Sequence, residues 1–228
     1  MDTETKSYLY IGKIFSYIYG IFGAIYSVAI ILFLFQNLLP VWSIKFFNQA
    51  GDNLVLLNLL FWASIVINIA LLGIVIAFQS ITRNKNIGAV TWVTIISIIG
   101  IGSSLYQNAI VIRNLSPLVN AFNFFNQELQ VAVSMIKTFE GDMMLLYSIS
   151  IGLWFLMVSF LAKDSQFIPK RLIILGYIMG AVNIMNAVSV VFVLSDLYLF
   201  SWIASALIMP IWGISEGSFL GKSLKGNK

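Results

Sequence analysis

LIILGYIMGAVNIMNAVSVVFVLSDLYLFSWIASALIMPIWGIS, residues 172–215, holds one charged residue, Asp196, in 44 positions. At about 1.5 Å per residue a single helix of that length would run roughly 66 Å, twice the hydrocarbon thickness of a bilayer. The stretch must therefore fold back as a hairpin near Ser195 and Asp196. It supplies two spans, 172–194 and 197–215. Four further uncharged segments precede it, at 14–35, 54–78, 87–112 and 143–162. Each meets the requirement of about 20 apolar residues per membrane helix, the structure that keeps its backbone hydrogen bonds internal. The expected fold class is all-α: one polytopic membrane domain of six transmembrane helices over residues 1–228.

Composition agrees. Of 228 residues 60% are hydrophobic and 10% charged, against about 25% charged in soluble domains. Cys and His are both absent, which removes thiolate chemistry, imidazole acid–base catalysis and Cys/His metal sites. No cofactor or metal is expected. The net charge of +4 comes from scattered cations without a basic stripe, so nucleic acid is not an expected partner.

Those cations sort by side. Lys6, Lys13, Arg83, Lys85, Lys163, Lys170, Arg171, Lys222, Lys225 and Lys228 fall on one side of the spans, and Lys45, Arg113 and Lys137 on the other. Cytoplasmic loops carry the excess of Lys and Arg, so both termini are expected inside. Tyr8, Tyr10, Tyr17 and Tyr19, with Trp42, Phe46 and Phe47, suit the two interfaces as anchors.

The longest connection is patterned. Leu118, Phe122, Phe125, Leu129 and Ile136 recur at helical spacing, opposite Asn120, Asn123, Gln127, Gln130 and Lys137. Ser116 as cap and Pro117 at the first helical position predict an amphipathic helix over 117–137, on the outer leaflet or over the bundle as a lid.

Few groups in the spans carry chemistry. Asn58, Asn68, Asn108, Asn183 and Asn186 are expected inside the bundle, bonding across helices or lining a neutral polar cavity. Gly176, Gly180, Asn183 and Ala187 share one face of the fifth span. Asp52, Asp142 and Asp196 suit the N-termini of the three helices that enter from outside. Gly213-x-Ser215-x-Gly217 copies the spacing of a hydrolase nucleophile turn, yet it leaves a membrane helix and no His exists to activate Ser215. Glu216 is expected to snorkel to the inner interface beside the lysines. Small residues four apart, such as Ser16 and Gly20, Gly100 and Ser104, Ser148 and Gly152, and Gly176 and Gly180, predict close helix approaches within the monomer or between copies.

Ile168-Pro169-Lys170-Arg171-Leu172, followed by Gly176 and Gly180, resembles a motif of a bacterial six-helix membrane family catalogued as domain of unknown function 4386. Arg171 stands where that family usually has an aromatic. The resemblance in layout covers about residues 11–220; it implies a bacterial inner-membrane location and supplies no functional residue. Independently of it, Lys170 and Arg171 are placed to contact lipid phosphates at the inner surface.

The function expected from these features is non-enzymatic binding or transport of a small molecule or lipid through a neutral polar interior. The alternative is an accessory, sensor or scaffold subunit working with a partner subunit or a second copy, and the third is a lipid-modifying enzyme. A transporter requires a cavity reaching one face; a scaffold requires a small-residue strip left facing lipid. Because the chain has no native Cys, topology is open to a clean test. Cysteines placed at Asn84 and Gln166 should resist an impermeant thiol reagent in intact cells, while those at Asn48 and Gln127 react; the reverse labelling would invert the orientation.

Overall fold

The computed structural model describes residues 3–35, 50–82, 85–122, 130, 141–163 and 168–225. They form six long helices: α1 (Thr3–Phe35), α2 (Leu54–Thr82) after a 3-10 turn at Gly51–Asn53, α3 (Ile87–Phe122), α4 (Gly141–Ala162), α5 (Lys170–Val191) and α6 (Ser195–Lys225). All six are long and apolar enough to cross a membrane, and large side chains such as Ile21, Val28, Trp62, Ile99 and Ile211 point outward. Such a surface has hydrocarbon as its solvent. The chain is a membrane-embedded six-helix bundle.

Each helix packs on its neighbours in sequence, and α6 closes on α1 to complete a ring. Two buried clusters fill it. One, at the end that carries the termini, gathers Tyr19, Phe78, Trp154, Phe155 and Trp212. The other, at the opposite end, gathers Phe33, Leu57, Leu115, Phe122 and Trp202.

The α1–α6 seam is the closest of these contacts. A Cβ on Gly213 would lie 2.8 Å from the Gly20 nitrogen and 2.9 Å from the Ser16 carbonyl oxygen, so only glycine lets these backbones approach. Further along, Pro210 lies inside α6. A proline there has no N–H to give the carbonyl four residues earlier, that of Ala206. Ser27 of α1 replaces it: its hydroxyl is 2.6 Å from the Ala206 oxygen and 2.7 Å from the Gly23 oxygen, its one proton shared between them. The other small-residue pairs are also consumed within the monomer. Gly100 faces Ser150, Gly152 and Gly180 face each other across α4 and α5, and Gly176 faces Ser159.

Two boundaries differ from expectation. The third helix does not stop at 112 for a new helix to start at Ser116–Pro117; it continues unbroken to Phe122, with Pro117 inside it. Val111, Leu115, Val119 and Phe122 keep one buried stripe in phase across the proline and anchor it in the second cluster. The carbonyl deprived by Pro117 is that of Arg113, an exposed residue where water can serve it. The remainder of the expected amphipathic helix, apart from Gln130, lies outside the described residues. Gln130 Nε2 donates to the Phe122 carbonyl at 3.1 Å.

The hairpin turns at Phe192–Leu194, ahead of Ser195 and Asp196. Val193 has φ 55°, Leu194 N–H reaches the Ser189 oxygen at 2.8 Å and Val193 N–H the Val190 oxygen at 3.3 Å. This is a Schellman ending with valine where glycine is usual. Ser195 thus becomes the first residue of α6, with Asp196 in its first turn, favourable for the dipole. Asp52 likewise sits inside the 3-10 turn, whose cap position is Ala50.

The proline-driven bond across the α1–α6 seam has a measurable signature. Ser27→Ala should lower stability in detergent by about 1–3 kcal/mol, because the Ala206 carbonyl is left without a donor. Adding Pro210→Ala should recover much of that loss by restoring the intrahelical N–H. Melting of the two single variants and the double variant tests this; simple additivity would show that Ser27 does not serve the freed carbonyl.

Candidate functional site

The five asparagines do not converge. Asn68 on α2 and Asn108 on α3 meet at Ser104: Asn68 Nδ2 lies 3.1 Å and Asn108 Nδ2 3.3 Å from the Ser104 hydroxyl oxygen. Each amide also donates to a carbonyl one turn back in its own helix, Asn68 to Ser64 and Asn108 to Ser104, both at 2.8 Å. They form a polar clasp between α2 and α3. Asn183 and Asn186 are buried on α5, and Asn183 donates to the Met179 oxygen at 2.8 Å. Asn58 is half-buried, nearer the start of α2. Asn68 Oδ1 and Asn186 Oδ1 are buried without a hydrogen-bond partner.

A different constellation occupies the termini end. There α2, α4, α5 and α6 surround a cavity of about 20 Å³, lined by Phe78, Trp154, Phe155 and Trp212, by Ser159 and Gly176, and by Glu216. The rings pack mostly edge to face, with Trp154–Trp212 centroids 6.4 Å apart at 80° and Phe155–Trp212 at 5.0 Å and 85°. Tyr19 of α1 closes the group against Trp212 at 5.9 Å. From the rings the lining runs through Val158, Ala162, Leu172 and Ile168 toward the α4–α5 connection. None of the five asparagines borders it.

Glu216 is the surprise of the site. It does not snorkel: it is 1% exposed, and its Oε1 is buried without a hydrogen-bond partner. The reason is helical phase. Met209, Trp212, Glu216 and Leu220 follow steps of three, four and four on the buried stripe of α6, while Ile211 and Ile214 face outward. At about 100° per residue, Lys222 lies roughly 120° and Lys225 roughly 180° round the helix from Glu216, so proximity in sequence is not proximity in space. Trp212 and Leu220, two apolar residues one turn either side, are the signal in the sequence that places this carboxyl indoors.

The glycines of the Gly213-x-Ser215-x-Gly217 pattern have a packing role, Gly213 against Gly20 and Gly217 against the Tyr17 ring. Lys170 and Arg171 are both exposed at the start of α5, just after Pro169 at the cap position. Among the described residues no cluster of three acidic, His or Cys side chains could hold a metal ion.

No protein family, curated protein or solved structure matches this chain.

The clasp at Ser104 is testable by coupling. Ser104→Ala and Asn68→Leu should each cost about 0.6–2 kcal/mol, and the double variant should cost less than their sum, since both remove one shared bond. Melting temperatures in one detergent decide it; strict additivity would mean the 3.1 Å contact carries no energy.

Proposed function

We propose that this chain is a non-enzymatic membrane protein that binds a small molecule within its bundle and moves it across or along the membrane. The observation that carries this reading is the cavity at the termini end, a mainly apolar recess with few polar groups, one of them the buried carboxyl of Glu216. An ionisable side chain inside a membrane domain is costly to place and is typically tied to a pathway or ligand. The cavity's lining extends to Ile168 at the α4–α5 connection, so it leads toward one face. Its size of about 20 Å³ sets the scale of what it holds, a group of about water's dimensions.

The scaffold reading draws less support, because the glycines at positions 20, 100, 152, 176 and 180 all meet other helices of the same chain. The proposal includes orientation and place. Ten of thirteen cations fall at the end carrying the termini, which supports both termini being cytoplasmic, and the resemblance around Pro169 supports a bacterial inner membrane. Lys170 and Arg171 are then proposed to contact inner-leaflet lipid phosphates.

Ala162→Val adds bulk to the cavity wall without touching Glu216. Filling a void should leave the melting temperature unchanged or raise it by the equivalent of about 1 kcal/mol. Solutes and lipids extracted from the purified variant should then lack a component that the parent protein retains, as seen by mass spectrometry. An identical extract from a variant that melts no lower would reduce the cavity to a packing void.

A further inference from the structure

Glu216 is the one acidic side chain found buried among the described residues, and its Oε1 has no hydrogen-bond partner among them. Leucine or glutamine would fill the same space without the cost of an ionisable group. Inside a membrane domain such a group commonly serves proton or ion movement.

Size decides what can reach it. The recess that Glu216 lines measures about 20 Å³ in all, so it admits one water at a time and nothing larger. A proton needs no more. Its transfer requires one acceptor within hydrogen-bond reach of the carboxyl at the moment it occurs, so a water that visits serves as well as one that stays. The carboxyl O–H bond breaks, the proton leaves on the water as hydronium, and the carboxylate keeps the electron pair; uptake is the reverse.

The lining gives the exchange a direction. Along α4 it runs from Trp154 and Phe155, nearer the middle of the helix, through Val158 to Ala162 at the termini end, and it includes Ile168 just ahead of α5. Trp212, one turn further from the termini than Glu216, packs on Trp154, Phe155 and Tyr19. Rings thus fill the side toward the bundle centre. Glu216 lies six residues before Lys222, roughly 9 Å along α6, so the short way out is toward the termini.

Other titratable groups stand round this end. From α1, Lys13 lies against Gly221, Tyr17 against Gly217 and Tyr19 against Trp212. Tyr177 of α5 is half-buried, and Lys163, Lys170, Arg171 and Lys222 are exposed. Helix α2 has no titratable residue. Arg83 and Asp164, in the connections here, lie outside the described residues.

We infer that Glu216 is a proton-exchange site, its carboxyl taking up and releasing a proton through the recess to water on the termini side. This goes beyond the binding function proposed above and does not rest on it, since it concerns a carboxyl and a visiting water rather than a retained solute.

Infrared spectroscopy of the full chain in detergent reads a protonated carboxyl by its C=O stretch. The spectrum of the parent minus that of Glu216→Gln should contain one such band, which shifts in heavy water as O–H becomes O–D. Raising the pH should make the band fade, and the emission of Trp154 and Trp212, on the same lining, should change in step. Tyr19→Phe should keep that step and Glu216→Gln should lose it. Ala162→Val fills the recess and leaves the carboxyl in place, so the O–D shift should slow by on the order of tenfold or more, exchange then waiting on local opening of the helices. If Glu216→Gln does not fold, heavy-carbon labelling of glutamate identifies the band in the unsubstituted chain. The inference is overturned if no such glutamate band exists, if the band ignores heavy water or pH, or if Ala162→Val exchanges at the parent's rate.

Discussion

The Ala206 carbonyl lost its intrahelical donor to Pro210, and in hydrocarbon there is no water to replace it. Ser27 of the first helix supplies the proton, and this fixes how α1 and α6 lie along each other. With that register set, Gly20 falls opposite Gly213 and Tyr17 opposite Gly217, so the backbones close to contact distance. The ring is shut by a hydrogen bond that one helix needs and another can give. Everything at the termini end inherits this placement, including the turn of α6 that carries Trp212 and Glu216 inward.

An interior built in this way has polar groups of two kinds. Asn68, Asn108, Asn183 and several serines donate to nearby carbonyls, which satisfies their donors locally and ties neighbouring turns together. Glu216 differs in being ionisable: among the described residues its Oε1 has no hydrogen-bond partner, as Asn68 Oδ1 and Asn186 Oδ1 have none, but it alone of the three lines the cavity of rings and aliphatic chains. A buried acid is tolerated where a partner or a proton can reach it, and a purely structural role would be served as well by glutamine or leucine. What sets the acid apart is its place on the cavity wall, which none of the five asparagines borders.

The spans were legible in the sequence because hydrocarbon thickness imposes a length that composition alone reveals. Their ends were not. Pro117 read as a helix start because proline favours that position, whereas a buried stripe in phase on both sides of it decides otherwise. The hairpin read as turning at the one charged residue, Asp196, whereas the Schellman ending is set by Val193, a residue with no turn signature. Asn68 and Asn108 were recognised as interior, but their meeting at Ser104 spans 36 residues and depends on the rotation of two helices. Nearness to three lysines in the chain points Glu216 to the interface, whereas the Trp212–Glu216–Leu220 spacing turns it inward. Long-range juxtaposition, not residue type, is the information a single sequence withholds.

The ring has a consequence for how the protein is made. Each of the first five helices finds its next partner in the segment synthesised immediately after it, but α1 also needs α6, which emerges after the other five. At about 5–20 residues per second, the 193 residues between Gly20 and Gly213 take roughly 10 to 40 seconds to appear. Throughout that interval the glycine face of α1 and the Ser27 hydroxyl lie open in the lipid, available to whatever helix is nearby. Assembly is therefore a race between the chain's own last helix and its neighbours in the membrane, and the carbonyl bared by Pro210 gives that last helix a handhold that a stranger with an unbroken hydrogen-bond ladder lacks.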